Sequence, residues 1–298
     1  MLSSPSACSV QGEWEALRQY ALAIFNKRRL CPRLPTENWR EELAADGALL
    51  VREGEYVEEL RALVAPMVAL APSGAAEFME WFQALERVGP GQHDPLFDHL
   101  ADAATVGEMR WFLRQEVAGE AGFDDLVALT QVRLPSRAKL ELARNYWDEM
   151  GRGKAGAMHG PMLTRLAQEL DIEDLDASET VWESLALSNL LVAFAANRRY
   201  AFQSIGALGA VELTAPGRAA KVNAGLERLG IGGRARQYFA LHATLDIQHS
   251  RDWNREIIQP LVADNPEITR AIAEGALMRL QAGLRCFTRY RREMGLNR

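Results

Sequence analysis

Three side chains able to donate electron pairs to a metal lie close together in the segment Leu241-His242-Ala243-Thr244-Leu245-Asp246-Ile247-Gln248-His249. His242, Asp246 and His249 stand at i, i+4 and i+7. On a helix turning about 100° per residue they fall within roughly 60° of one another. The flanking Phe239, Leu245 and Ile257 predict that this face points inward. Imidazoles and a carboxylate are costly on a buried face unless something satisfies them. A lone histidine there is more often a satisfied core residue; the triplet reads as a metal site.

Three further positions could complete such a site. Glu149 ends the run Asn145-Tyr146-Trp147-Asp148-Glu149, a glycine-rich break follows, and His159 stands ten residues beyond. A break of that kind can turn two separated side chains toward one point. Glu212 closes the apolar run from Ile205 and needs a partner there, although it could merely cap its neighbour at Pro216. Glu116 shares an inward helical face with Phe112 and Met109, and Glu120, one turn on, is the substitute; a solvated surface acid is the competing reading for both. Imidazole and carboxylate suit iron, and no cysteine lies near enough to point to zinc or an iron–sulfur cluster.

The elements that must position these residues are helical throughout, with no convincing alternating strand pattern. Helices are predicted over residues 13–27, 55–70, 75–88, 104–119 and 124–131, with breaks at Pro72-Ser73-Gly74 and Gly89-Pro90-Gly91. Ser136 serves as N-cap of a helix to about residue 150, and Pro161 occupies the first turn of the next, to about 170. A long apolar segment over 180–214 is expected to kink near Gly206 and Gly209. Pro216 is expected to open a separate helix to 229, followed by helices over 234–262 and 266–294. Arg198, Arg199 and Tyr200 could clamp a substrate carboxylate or form a solvated patch or salt bridge. Asp252 could orient His249; Tyr146 and Trp147 could line a pocket or simply fill the core. His93 and His99 read as surface or loop residues.

The 298 residues carry a net charge of −6, with 48% hydrophobic and 25% charged residues, as an ordinary globular chain does. Nothing in this balance invites nucleic acid or an anionic membrane surface. Three cysteines without CxxC spacing, and an N-terminus with neither cationic start nor apolar core, predict a reduced, cytoplasmic protein. The most apolar stretch, residues 185–196, is too short to span a bilayer.

Taken together, E-x9-H in a YWDEMGRG…MH context, then GALGAVE, then H-x3-D-x2-H, resemble the heme-oxygenase-like diiron oxidases and oxygenases, often called iron-containing redox enzymes. The resemblance covers roughly residues 90 to 265. It implies an all-α, heme-oxygenase-like multi-helix bundle over residues 91–298, with residues 1–90 as an N-terminal helical extension. It implies Glu149, His159, Glu212, His242, Asp246 and His249 as ligands of two iron ions, with O2 as co-substrate. Some members, nitrogen-oxygenating ones among them, add a carboxylate from an earlier helix, and Glu116 is the candidate here. Four carboxylates would balance two ferrous ions. The expected reaction is oxidation of a small amine or amino-acid-like substrate, with N-oxygenation in specialised metabolism preferred over oxidative C–C cleavage, decarboxylation or desaturation. An external electron donor and a homodimer are allowed for. The alternatives are a metal-free relative of the thiaminase or cofactor-maturation kind, and a heme-binding or structural bundle. Acids on several helices argue against heme. The Glu-x-x-His pairs of ferritin-like diiron proteins are missing, which argues against that architecture.

Overall fold

Apolar residues three and four apart recur along nearly the whole chain, and each such stripe becomes the buried face of a helix. In the segment at residues 75–88, Phe78, Phe82 and Leu85 fall at i, i+4 and i+7, and all are buried. The computed structural model describes residues 7–119, 122–172 and 179–296, and no strand occurs among them.

The helices run α1 (Ala7–Leu30), α2 (Trp39–Val68), α3 (Ala75–Val88), α4 (Pro95–Asp102), α5 (Val106–Gly119), α6 (Phe123–Thr130) and α7 (Ser136–Glu149). They continue with α8 (His159–Glu169), α9 (Trp182–Ala196), α10 (Ala201–Arg228), α11 (Gln237–Asp252), α12 (Gln259–Asp264) and α13 (Thr269–Glu293). No helix among the described residues is long and apolar enough to cross a membrane. Helix α2 begins well before the expected residue 55, and its solvated N-terminal half explains why the apolar pattern there is weak. Helix α4 was not expected; Asp94 caps it by accepting from the Leu96 amide at 3.0 Å, and Pro95 occupies the first turn. Ser136 is the first helical residue of α7, and Pro135 takes the cap position.

The expected kink at Gly206 and Gly209 does not occur. The chain breaks earlier, at Asn197, whose side chain accepts from the Arg199 amide, and α10 then runs unbroken through both glycines and through Pro216. Gly206 serves close packing instead. A Cβ there would lie 1.9 Å from the Ile272 carbonyl oxygen, and one on Gly275 of α13 would lie 1.9 Å from that of Gln203. The two backbones therefore touch directly where α10 crosses α13. Pro216 is tolerated because burial on both sides, from Leu213 to Val222 and Leu226, outweighs one lost hydrogen bond.

Two apolar clusters fill the bundle. Tyr56, Phe82, Phe194, Ile205, Trp253 and Ile272 belong to the first, which α2 and α3 share with α9, α10 and α13. Phe97, Phe112, Leu163, Val222, Phe239 and Phe287 belong to the second. Between α11 and α12 the helix widens into a π turn over Trp253–Ile258, where the Trp253 indole donates to the Ile205 carbonyl at 3.2 Å.

The crossing yields a matched test within one helix. Gly206→Ala should destabilise the fold by about 1–3 kcal/mol or more, because the added methyl meets backbone. Gly217→Ala, where a Cβ meets nothing within 4 Å, should stabilise it by about 0.5–1 kcal/mol. Denaturant midpoints at unchanged m-value read both; equal effects at the two positions would remove the packing role of Gly206.

Candidate metal centre

Helix α7 buries Ala138, Leu142, Asn145 and Glu149, a stripe at i, i+4, i+7 and i+11 that carries the last residue, Glu149, inward. Gly151 then adopts φ +60°, and a Cβ on it would lie 2.4 Å from the Ala157 carbonyl carbon. Two short 3-10 turns follow, and α8 begins at His159, which shares a buried face with Met162, Leu163 and Leu166. The bend brings His159 Nδ1 to 2.5 Å from Glu149 Oε2. Yet Nδ1 makes no hydrogen bond, so the two atoms are close without being aimed along an N–H.

Glu212 enters from α10 with 2% exposure, and Asn145 Nδ2 donates to its Oε1 at 2.7 Å. Pro216, four residues on, deprives the Glu212 carbonyl of its usual helical donor. Helix α11 supplies His242, Asp246 and His249, with Asp246 and His249 buried and His242 half-buried at the edge of a cavity. His242 Nδ1 donates to the Tyr238 carbonyl at 2.7 Å, which leaves Nε2 as its lone-pair atom. His249 Nε2 donates to Asp148 Oδ2 at 3.2 Å. Its Nδ1 lies 3.5 Å from Glu212 Oε2 and 4.0 Å from Asp246 Oδ1, again without a hydrogen bond. The ring of His242 meets that of His159 at 4.6 Å.

These atoms form two sets of three whose members all lie within 4.8 Å of one another: Glu149, His159 and His242, and Glu149, Glu212 and His249. Glu149 belongs to both. Nitrogen and oxygen donors without a thiolate suit iron, and the two buried, unbonded imidazole nitrogens fit ligation better than hydrogen bonding. In the metal-free pocket, electrostatics leave two of the imidazoles neutral and favour a proton on Glu149 and on the third imidazole. Burial, with Glu212 nearby, pushes the Glu149 carboxyl well above its ordinary range. Burial, joined by His249 for the former and by His159 for the latter, lowers His159 and His242 to about 4, so both are neutral imidazoles at pH 7. Burial also opposes charge on His249, but Glu212, Asp148 and Asp246 outweigh it and hold its pKa up at about 10.

The two sets open on a cavity of about 180 Å³, lined by Glu149, Glu212, His242 and Asp246 and by Phe112, Leu163 and Phe239. Glu116 lines it too, and neither Glu116 nor Asp246 falls in a set of three. Glu116 accepts from the Tyr290 hydroxyl at 3.2 Å, and burial raises its pKa. Glu120 lies outside the described residues. Sequence reasoning missed Asp148 and gave its orienting role to Asp252, which instead binds Gln248 and Arg255. It also missed Asn145, although the i, i+4 spacing to Glu149 carries the signal. Arg198 clamps the carbonyls of Leu129, Thr130 and Val132, and Tyr200 binds Glu58; neither reaches the cavity. Trp147 is exposed, Tyr146 packs on the first cluster, and His99 pairs with Glu108.

Residues 110–284 match the model of a family described as iron-containing redox enzymes. No curated protein matches the chain. Among solved structures, a CADD-like protein of unknown function from Nostoc punctiforme superposes with TM-score 0.53 at 17% identity, over 82% of this chain and 98% of that one. A second crystal structure under the same description gives 0.51 at 16% identity, over 83% and 98%. A domain of unknown function with a heme oxygenase-like fold, from Shewanella denitrificans, gives 0.51 at 15% identity, over 74% and 90%. At these identities the likeness is one of fold, and the fold is heme-oxygenase-like and all-α.

Asp148→Asn should lower the pKa of His249 by about one unit in metal-free protein, because it removes one of the carboxylates that favour the imidazolium. A pKa raised in the folded state contributes stability fully below the unfolded value of about 6.5. That contribution is lost as the pH rises through about 10, so the stability deficit of the variant should fade over the same window. An NMR titration of the His249 ring reads the shift directly; an unmoved pKa would remove Asp148 as its partner.

Proposed function

Since the chain belongs to the iron-containing redox enzymes, we propose that it holds two iron ions and uses them with dioxygen to oxidise a small amine or amino-acid-like substrate. The observation that carries this reading is the sharing of Glu149 by both three-residue sets, which gathers two histidine-and-carboxylate groups around one side chain. Glu149, His159, Glu212, His242, Asp246 and His249 are the proposed ligands. When bound, ferrous iron supplies the electrons that reduce dioxygen.

The remaining work falls to the chain's own residues. The Tyr238 carbonyl fixes the tautomer of His242, and Asp148 fixes that of His249. Asn145 holds Glu212 in place through its amide. Phe112, Leu163 and Phe239 give the cavity an apolar wall. After anaerobic reconstitution, two irons per chain are expected. His242→Ala, Asp246→Ala and His249→Ala should each lose most of the iron and essentially all oxygen-dependent turnover while keeping the fold. The readouts are iron content, circular dichroism and product analysis with a panel of amines and amino acids. Full metal content and turnover in any one of these variants would remove the triplet.

Nitrogen oxidation is the preferred outcome if Glu116 acts as a fourth carboxylate ligand. Its bond to Tyr290 favours a second reading, oxidative C–C cleavage, decarboxylation or desaturation at the same centre. Iron stoichiometry in Glu116→Ala separates the two. Loss of the second iron restores the first reading. Two irons and C–C-cleaved or desaturated products support the second.

A further inference from the structure

One part of the cavity wall carries charge that the proposed ligands do not use. Arg218 of α10 and Arg279 of α13 both line it. Arg279 Nε and Nη1 are buried and make no hydrogen bond. Arg218 lies over the ring of Phe287 at 4.8 Å and that of Phe97 at 5.7 Å. With its amide turned to suit its neighbours, Gln92 accepts from Arg218 Nη2 at 2.7 Å. Glu116 acts on both guanidinium groups, whereas Asp94, the other acid near Arg218, is bonded to Arg291. Two guanidinium groups thus face one carboxylate, an imbalance of one positive charge at this end of a largely apolar cavity. Such a charge is costly unless an anion meets it. Burial, together with the charge of Arg279, already drags the Arg218 pKa down to about 9.

The helical register sets where that anion sits relative to the metal centre. Val211, Glu212, Ala215, Arg218 and Val222 lie on the cavity-facing side of α10. Six residues separate Glu212 from Arg218, about 9 Å of helical rise. Arg279 and Gly283 are placed alike on α13, and the missing side chain at Gly283 leaves the Arg279 guanidinium room beside it.

We propose that the cavity binds a small carboxylate, its anionic head on Arg279 and Arg218 and its body running toward Glu149, Glu212 and His242. A single surplus charge matches a monoanion, and the planar guanidinium fork matches the two oxygens of a carboxylate. The volume of about 180 Å³ slightly exceeds the roughly 150 Å³ that takes benzene. It therefore fits a body the size of an aromatic or branched amino-acid side chain. This assignment rests on the reading that oxidation occurs at the Glu149 end, but binding at the arginines needs no metal.

The test is calorimetric titration of the metal-free protein with 3-phenylpropionate, phenylalanine and phenethylamine. The two carboxylates should bind and the amine should not. Arg279→Gln and Arg218→Gln should each weaken carboxylate binding at least about tenfold, the loss of a charge-assisted hydrogen bond. Arg279→Lys keeps the charge without the fork and should fall between parent and Arg279→Gln. It also supplies the measurement if circular dichroism shows the glutamine variant unfolded. Glu116→Gln, by deepening the surplus, should tighten binding. Amine binding as strong as carboxylate binding, no carboxylate binding, or folded arginine variants with unchanged Kd would each overturn the proposal. Iron content is measured on the same preparations. Carboxylate binding by a protein that takes up no iron would end the diiron reading and leave this one. Two irons without carboxylate preference would do the reverse.

Discussion

Glu149, Glu212 and Asp246 lie buried around the same few atoms, and three carboxylates cannot all be ionised there without matching positive charge. Much of the bundle answers to that constraint. In the metal-free pocket, burial favours a proton on Glu149, and the surrounding carboxylates favour one on His249. Metal ions would displace both, and the surrounding packing then holds the donors in place at little further cost. Each donor is carried on a helix whose buried stripe would point inward even without it. The centre thus draws its precision from the core rather than from its own bonds.

The fold class and the inward face of α11 that carries His242, Asp246 and His249 were legible because both rest on periodicity, which survives burial unchanged. The turn from Glu149 to His159 was legible because glycine at positive φ is a local property. What was not legible depended on partners distant in sequence. Asp148 meets His249 across 101 positions, and nothing near either residue marks the pairing. Gly206 looked like a hinge because sequence shows a missing side chain without showing Ile272 in the space it leaves. Pro216 looked like a helix start for the same reason: the burial that carries α10 through it comes from other helices.

The cavity has two chemically distinct ends built from the same helices. On α10, Glu212 faces the imidazoles, and Arg218 faces Glu116 and Arg279. Phe112 and Leu187 line the cavity, along with neighbouring apolar residues. Low polarity in that wall strengthens charge interactions at both ends. It also leaves a molecule lying across it few polar contacts, so orientation is decided at the ends and fit is decided along the wall.

The π turn over Trp253–Ile258 has a consequence for how this centre can change. A wide turn takes up one residue more than an α turn, and one residue corresponds to about 100° of helical phase. The face carrying His242, Asp246 and His249 and the packing face carrying Ile257, Leu261 and Val262 are therefore set on independent phases along one continuous rod. A single-residue deletion in the turn would regularise the helix and rotate one face relative to the other. Insertions and deletions here thus act as a dial on the registration between that face and the core, whereas the same events within α11 would break up the spacing of His242, Asp246 and His249 themselves.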